Sequence, residues 1–303
     1  MRLYVWLGCM LIAGCNQFFE LKPTDLRDAT SGDDDDGGGG GTHDARLIIP
    51  SDGSTTCGAT PDFETWTYGP RTIPFTDQLG PFGPYKASNG EHLIIAPADG
   101  KGVWDVDIAA NTSTQIPGLV PPSGKSITSV ATSPDGAAIW FKIDSASYVA
   151  FRATGFARQA TDLGLPDANE VLPAAVAYFG GELRMVARVR DTTSTSAYVE
   201  LSSLDGVSWT RGATLSFGTL GGYLAAALSP DGCTLTFSHM EGGASYVAYR
   251  SSRDPDGTFG TPVKLDAASA TGQFVFNPVL GPDNASMWFV VLGASNPMYR
   301  GAP

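Results

Sequence analysis

The sequence predicts an all-β protein, a five-bladed β-propeller of four-stranded antiparallel blades. A turn close to Ser-Pro-Asp-Gly recurs along the chain, and each copy is followed by a strand-like run of apolar or alternating residues. Successive copies are 45 to 52 residues apart, a period typical of propeller blades. No helical periodicity competes with these strands. The sequence leaves open whether a sixth blade is present.

The repeated turn and the second strand that follows it are the clearest part of each unit. The five copies are KASNGEHLIIA (86–96), TSPDGAAIWFK (132–142), AYFGGELRMVA (177–187), LSPDGCTLTFS (228–238) and LGPDNASMWFV (280–290). Proline presets φ at the second turn position, aspartate hydrogen-bonds to the nearby backbone, and glycine or asparagine accepts the left-handed conformation. Each copy therefore predicts a hairpin between the innermost and second strands of a blade.

A third and a fourth strand complete each unit. The third strands are VWDVDI (103–108), YVAFR (148–152), YVELS (198–202), YVAYR (246–250) and PMYRG (297–301). The fourth strands are STQIPGL (113–119), FARQATDL (156–163), WTRGATLS (209–216) and FGTPVKLD (259–266). Four antiparallel strands in a repeating unit are the blade of a propeller.

The fifth unit lacks a fourth strand, because the sequence ends at Pro303. The segment DFETWTYGPRTIPFTD (62–77) is similar to a fourth strand with its approach. We expect it to pair with the last blade and close the ring, since closure removes exposed strand edges. Residues 45–51 are expected to add an outer strand or to extend this closure.

The repeated turn and strand resemble the Tol-type periplasmic β-propeller repeat, over roughly residues 62–303 and most clearly over 228–265. The third unit departs from the pattern, because its turn lacks the proline and the aspartate. That unit instead contains SLDGVSW (203–209), which is similar to the Asp-box of sialidase-type propellers with one residue missing. In those propellers the box is a structural turn, so the resemblance implies topology and not glycan cleavage.

The first residues predict export and lipidation. Arg2 precedes an apolar run that is too short to span a bilayer, and the run ends in Ile-Ala-Gly-Cys at Cys15. This resembles a bacterial lipobox, which implies a signal peptide over 1–14 and a lipidated Cys15 carrying a palmitate-type acyl chain. Asn16 after the cysteine implies the outer membrane. The alternatives are an ordinary signal peptide and a buried apolar segment.

Residues 15–44 read as a lipidated N-terminus and a flexible tether that precede a propeller domain over 45–303. The stretch SGDDDDGGGGGTHD (31–44) has no apolar face that could offset its ordering entropy. A calcium loop is the alternative for its aspartates, but such a loop needs a defined ligand geometry.

The net charge of −12 argues against nucleic acid as a partner and against anionic lipid surfaces. Membrane contact is therefore expected only through the lipid anchor. Of the four cysteines, Cys57 and Cys233 remain after Cys9 leaves with the signal and Cys15 takes the lipid. The sequence leaves open whether these two pair, although an oxidising compartment permits it.

Acidic residues stand at four equivalent hairpins between second and third strands. They are Asp99, Asp144, Asp191 and Glu241. These hairpins are expected to line the mouth of the central channel, with the Ser-Pro-Asp-Gly turns on the opposite rim. One interpretation is a solvated rim. The other is an acidic binding mouth for a cation, a basic peptide or a polyol.

The sequence contains few residues suited to catalysis. A propeller glycosidase needs paired carboxylates, and the expected innermost strands (83–88, 127–133, 172–178, 223–229 and 274–280) contain no Asp or Glu. Asp77, Asp167 and Glu170, which precede such strands, are weak candidates. Histidine is scarce, with His43, His92 and His239 in the chain, and no Gly-x-Ser-x-Gly elbow is present.

Three arginines recur at the ends of third strands and are expected to face away from the mouth. They are Arg152, Arg250 and Arg300. We therefore predict no catalytic residue, metal or cofactor. The expected function is a lipid-anchored propeller that acts as a binding or scaffolding module in the bacterial envelope, with an unidentified envelope protein or glycan as partner. The alternative is a glycan-active enzyme with an arabinanase- or sialidase-like propeller.

Overall fold

The structure, a computed structural model, is a five-bladed β-propeller. It describes Leu47, Ile49 and residues 56–73, 82–97, 99–165, 170–190, 196–215, 217, 223–242, 245–272, 274–292 and 297–303. These residues belong to one unit, which spans Asp44–Pro303. They form five antiparallel sheets of four strands each, which confirms the fold class predicted from the repeat.

Each sheet is one blade, and its strands follow one another in the chain. Blade 1 contains β2 (Phe82–Ala87), β3 (Gly90–Ile95), β4 (Trp104–Asp107) and β5 (Thr112–Gln115). Blade 2 contains β6 (Ile127–Thr132), β7 (Ala138–Ile143), β8 (Ala146–Phe151) and β9 (Arg158–Ala160). Blade 3 contains β10 (Glu170–Phe179), β11 (Glu182–Arg190), β12 (Ser196–Ser203) and β13 (Thr210–Thr214).

The last two blades have the same order of strands. Blade 4 contains β14 (Tyr223–Leu228), β15 (Thr234–Glu241), β16 (Ser245–Ser252) and β17 (Val263–Lys264). Blade 5 contains β18 (Val275–Leu280), β19 (Met287–Val291) and β20 (Met298–Ala302), and its outer strand is β1 (Thr67–Arg71). A single helical turn, α1 (Asp266–Ser269), links blades 4 and 5. Within the described residues, no helix has the length and apolar character needed to span a bilayer.

The N-terminal strand closes the ring as predicted. β1 pairs antiparallel with β20, and Thr67 lies opposite Ala302. The approach to β1 is also fixed, because Glu64 accepts hydrogen bonds from the first two N–H groups of α1, at 2.9 and 2.8 Å. Leu47 and Ile49 lie in no strand, and they pack against the core between blades 2 and 3. The expected outer strand is therefore not formed by these two residues.

The Ser-Pro-Asp-Gly turns owe their shape to the aspartate and the glycine. In blade 2, Asp135 accepts hydrogen bonds from the Ser133 hydroxyl at 2.7 Å and from the Ala137 N–H at 3.0 Å. Gly136 has φ +67°, and a Cβ there would collide with the ring of Tyr85 in blade 1. Glycine is required both for the backbone conformation and for the close approach of the neighbouring blade.

The Asp-box-like turn uses the same chemistry at another place in the blade. Asp205 accepts hydrogen bonds from the Ser203 hydroxyl and from two backbone N–H groups, and Gly206 has φ +75°. The Gly206 carbonyl accepts the indole N–H of Trp140 from blade 2 at 2.7 Å and that of Trp209 at 3.2 Å. The box is thus a structural turn that joins blades 2 and 3.

Second strands connect neighbouring blades, because alternate side chains point to opposite faces of a sheet. In blade 4, Leu235 and Phe237 belong to a core shared with blade 3. Thr236, between them, donates to the Pro278 carbonyl of blade 5 at 2.6 Å. Below, the face with the hairpins between second and third strands is called the mouth, and the opposite face is called the turn rim.

Candidate functional site

The described part of the propeller axis next to the turn rim is lined mostly by small and apolar side chains. A cavity of about 20 Å³ remains there, which is room for about one water molecule. Its lining comes from all five innermost strands and two turn prolines: Phe82, Gly83, Pro84, Ala131, Thr132, Pro134, Ala174, Ala175, Val176, Leu228, Pro230, Val279 and Leu280. This part of the channel has no space for a sugar ring or a cofactor.

One expectation about the innermost strands is wrong. β10 begins at Glu170, so the innermost strand of blade 3 contains an acid that the sequence placed in the preceding link. Glu170 lies opposite Arg190 of β11. The strand starts earlier than expected because β11 is long enough to pair with all of it. Asp77, Asp167 and Cys15 lie outside the described residues.

Three of the four acids at the predicted mouth are described, and each has a lysine partner. Asp99 lies 3.6 Å from the Lys101 ammonium group. Asp144 forms an ion pair with Lys125, which comes from the link between blades 1 and 2. Asp191 lies outside the described residues. The lysines offset much of the negative field that a cationic partner would need.

Glu241 is the described acid at the mouth that binds two different side chains. Its carboxylate accepts the Tyr249 hydroxyl at 2.5 Å and the Lys264 ammonium at 2.9 Å. These two hydrogen bonds hold the pKa of Glu241 below its usual value. Burial, followed by the bond to Glu241, raises the pKa of Tyr249 to about 12. The hydrogen bond to Glu241 also raises the pKa of Lys264. Glu241 is therefore an ion-paired carboxylate and not a general acid.

His239 lies two residues before Glu241 on the same face of β15. Its side chain is buried, with 9% exposed, and its ring packs edge-on against Tyr249 with centroids 5.6 Å apart. Its Nδ1 atom is buried and has no hydrogen-bond partner among the described residues. An unsatisfied buried polar atom costs about 1–3 kcal/mol. The sequence placed His239 at a second strand but did not mark it as a site residue.

The strand of blade 3 that faces His239 carries arginines. Val186 packs in the core shared with blade 4, so strand alternation turns Arg184, Arg188 and Arg190 toward blade 4 as well. Arg188 and Arg190 lie at the end of β11 nearest the mouth. The mouth end of the seam between blades 3 and 4 is therefore rich in polar and charged side chains.

At the turn rim, the same seam has a buried ion pair. Arg253 donates to both carboxylate oxygens of Glu200, at 2.7 and 3.3 Å, and both side chains are less than 10% exposed. The guanidinium also donates to the carbonyls of Gly232 and Gly257. It lies over the ring of Phe179 at 4.7 Å. The contacts with Glu200 and Phe179 lock blade 4 onto blade 3.

The equivalent arginine between blades 1 and 2 is Arg152. It donates to the Gly136 carbonyl at 3.0 Å and to the Tyr85 hydroxyl at 3.0 Å, and it lies 3.9 Å from Asp105. Its side chain is 46% exposed. The sequence aligned Arg152 with Arg250, and this is wrong. The register places Phe151 and Ser252 at matching pairs, so Arg152 matches Arg253.

Arg300 and Glu91 connect the last blade to the first. Glu91 accepts hydrogen bonds from the Trp288 indole at 2.7 Å and from Arg300 at 3.0 Å, and also from the Ser286 hydroxyl. The Glu91 side chain is 15% exposed. Arg300 therefore serves a structural seam and not a carboxylate-binding triad.

The other histidine in the described residues is part of a satisfied network. His92 contacts Asp105 at 2.8 Å through Nδ1 and Asn89 at 2.9 Å through Nε2. The Tyr85 hydroxyl donates to Asp105 at 2.7 Å. The described residues contain no cluster of three or more His, Cys, Asp or Glu side chains that could hold a metal ion.

Cys57 and Cys233 form a disulfide with Cα atoms 5.4 Å apart. The bond joins the segment before β1 to the turn of blade 4. Nearby, the hydroxyls of Thr60 and Ser252 are 2.8 Å apart. The chain that enters the closing strand is thus tied to blade 4 by a covalent bond as well as by packing.

No protein-family model matches the chain, and no curated protein matches it. Several solved propellers are similar in structure. TolB from Acinetobacter baumannii aligns at 14% identity with a TM-score of 0.44, covering 74% of this chain and 54% of TolB. This chain thus spans about half of that protein's length. A TolB-type protein from Agrobacterium tumefaciens aligns at 18% identity with a TM-score of 0.46, covering 71% of each chain.

An aldose sugar dehydrogenase from Streptomyces coelicolor, solved with PQQ bound, is similar to the same degree. It aligns at 11% identity with a TM-score of 0.46, covering 80% of this chain and 99% of the dehydrogenase. The neighbours thus include a TolB and an enzyme. Similarity at this level is one of fold, and activity does not follow from it.

Proposed function

We propose that the chain is a lipid-anchored binding or scaffolding module of the bacterial cell envelope. The observation that supports this best is the small cavity at the described part of the axis, which holds about 20 Å³. Sites for small substrates usually enclose several hundred Å³. A partner would therefore contact the surface of the propeller, at the mouth or the rim, instead of entering this part of the channel.

The anchor in this proposal is Cys15, which follows the lipobox-like residues Ile12, Ala13 and Gly14. Asn16 favours the outer membrane. The partner is an envelope protein or a glycan, because the net charge of −12 disfavours nucleic acid and anionic lipid surfaces. The folded unit would face the periplasm or the cell surface.

The test combines anchoring with partner capture. Wild-type and Cys15→Ser chains are expressed with a metabolic acyl label, and membranes are separated from soluble fractions. We expect label and membrane association in the wild type and neither in the variant. Crosslinking in intact envelopes should then capture a specific envelope protein or glycan with the wild type.

Two results would contradict the proposal. The first is a wild type that carries no acyl label and behaves like the variant in fractionation. The second is hydrolysis of a glycan by the purified chain on a glycan array, which would favour the enzyme alternative.

A further inference from the structure

The three blades with the longer turn place different residues at one repeated position of the second strand. Strand pairing puts the following residues at the fourth position after the first pair next to the turn: Ile143, His239 and Val291. Two of these are aliphatic and face the preceding blade. The third is a histidine with an unsatisfied buried nitrogen. The repeat therefore shows that the fold does not need a polar side chain there.

The residue of the preceding blade that faces this position is also apolar in one seam and polar in another. In blade 1 the residue that faces blade 2 at this level is Ala96, which is fully buried with Ile143 in an apolar core. The matching residue of blade 3 is Arg188, six residues after the start of its second strand, as Ala96 is in blade 1. The apolar pair Ala96 and Ile143 lies in the seam between blades 1 and 2. The matching pair in the seam between blades 3 and 4 is Arg188 and His239.

These polar residues carry a cost in stability. A buried imidazole with an unpartnered nitrogen loses its hydrogen bond to water without gaining another. Charged side chains at a blade seam also lose solvation. Residues that lower stability at a position where the fold accepts aliphatic ones are typical of functional sites.

The side chains at this seam indicate which chemical group a ligand would present. Arginine presents planar pairs of N–H donors that match a carboxylate. Glu241, the acid next to His239, is already bound by Tyr249 and Lys264 at 2.5 and 2.9 Å. Arg188 and Arg190 keep their own contacts, and a ligand would join this network. A second carboxylate, close to His239 and the two arginines, is the group that fits.

We propose that the mouth end of the seam between blades 3 and 4 binds a carboxylate-bearing ligand, with His239 hydrogen-bonded to it and Arg188 and Arg190 on its other side. The site goes beyond the envelope-binding role and does not depend on the lipid anchor.

The test uses the full chain with ¹³C-labelled histidine, because three histidines give a simple spectrum. Succinate is added at constant ionic strength, and inorganic phosphate and glycerol serve as comparison probes. We expect a saturable shift of the His239 signal with succinate and no shift with glycerol. The His92 signal should not move, since both ring nitrogens of His92 already have protein partners.

Two variants keep the result interpretable. His239→Ile restores the residue found in blade 2, so it should fold and melt about 2–4 °C higher while losing any thermal shift from succinate. Arg188→Gln should keep the fold and weaken succinate binding by about tenfold or more. Absence of a saturable His239 shift with succinate would overturn the proposal. A shift with phosphate alone, or a His239→Ile chain that melts below the wild type, would also overturn it.

Discussion

Two seams of the propeller, between blades 1 and 2 and between blades 3 and 4, have the same arginine contacts at the turn rim but different side chains at the mouth. At the turn rim, each has an arginine that donates to a turn glycine and lies over an aromatic ring of the preceding blade. At the mouth, the first seam is closed by Ala96 and Ile143. The second seam has Arg188 and His239 at the matching positions.

This difference separates residues that the fold needs from residues that it tolerates. The arginine at the turn rim occurs in both seams, so we regard it as part of the architecture. The polar pair at the mouth occurs in one seam, at a level where the other seam is apolar. In a repeat protein the equivalent positions of the other blades serve as a comparison, since they show which residues the fold accepts there.

The largest effect is expected at the buried ion pair. Arg253→Ala leaves Glu200 buried without a partner, so the free energy of unfolding should fall by about 3–5 kcal/mol. The matched variant Arg152→Ala removes a side chain that is 46% exposed, and it should cost about 1 kcal/mol or less. Urea unfolding of both variants measures the difference.

A double variant sharpens this prediction. Arg253→Met combined with Glu200→Met removes both charges and should cost less than the sum of the single changes. Equal losses for Arg253→Ala and Arg152→Ala would show that the two seams do not differ at the turn rim.

The disulfide should come next in size. Cys57→Ser with Cys233→Ser removes a link across 176 residues, and such links typically contribute about 2–4 kcal/mol. The loss should appear in non-reducing urea unfolding and should match the loss that a reductant causes in the wild type. A reductant that lowers the stability of the double variant as well would contradict this assignment.

The closing seam between blades 5 and 1 should show a smaller effect. Glu91→Gln keeps the size of the side chain but weakens the charged hydrogen bonds from Trp288 and Arg300. We expect a loss of about 1–3 kcal/mol, measured by thermal unfolding. A gain in stability would mean that the cost of burying Glu91 exceeds the benefit of its partners.

The smallest effect is expected at the acidic hairpins. Asp99→Asn, Asp144→Asn and Glu241→Gln together should change stability little, since partly exposed ion pairs contribute less than about 1 kcal/mol each. Glu241 has a lowered pKa, so its contribution is present above the usual glutamate pKa and is lost as pH falls further. Acid titration of unfolding should therefore be flatter for Glu241→Gln. An unchanged titration curve would contradict this.

The repeat was predictable because its turns have local causes. Proline, aspartate and glycine determine each turn within four residues, and the missing fourth strand of the last unit pointed to closure by residues 62–77. The Cys57–Cys233 bond needs the three-dimensional path of the chain. Sequence alone could not decide it.

The errors came from strand lengths and register. The hairpin between β15 and β16 is longer than the one between β7 and β8, and this shifts the arginine that matches Arg152 from Arg250 to Arg253. Glu170 was misplaced because β10 is ten residues long. Such lengths depend on pairing with the neighbouring strand, which a turn signal does not encode.

The polar seam at the mouth was also missed, although a signal for it exists. A column-by-column comparison of the second strands in blades 2, 4 and 5 would have set His239 beside Ile143 and Val291. Buried acids such as Glu200, inside otherwise apolar strands, could have been found in the same way.

The most direct test of the central claim is a reciprocal exchange between the two seams. His239→Ile and Ile143→His are each compared with the wild type by urea unfolding. If the histidine is kept for a ligand and not for the fold, His239→Ile should stabilise the chain by about 1 kcal/mol or more, and Ile143→His should destabilise it. A loss of stability in His239→Ile would show that the histidine belongs to the architecture and would contradict the account.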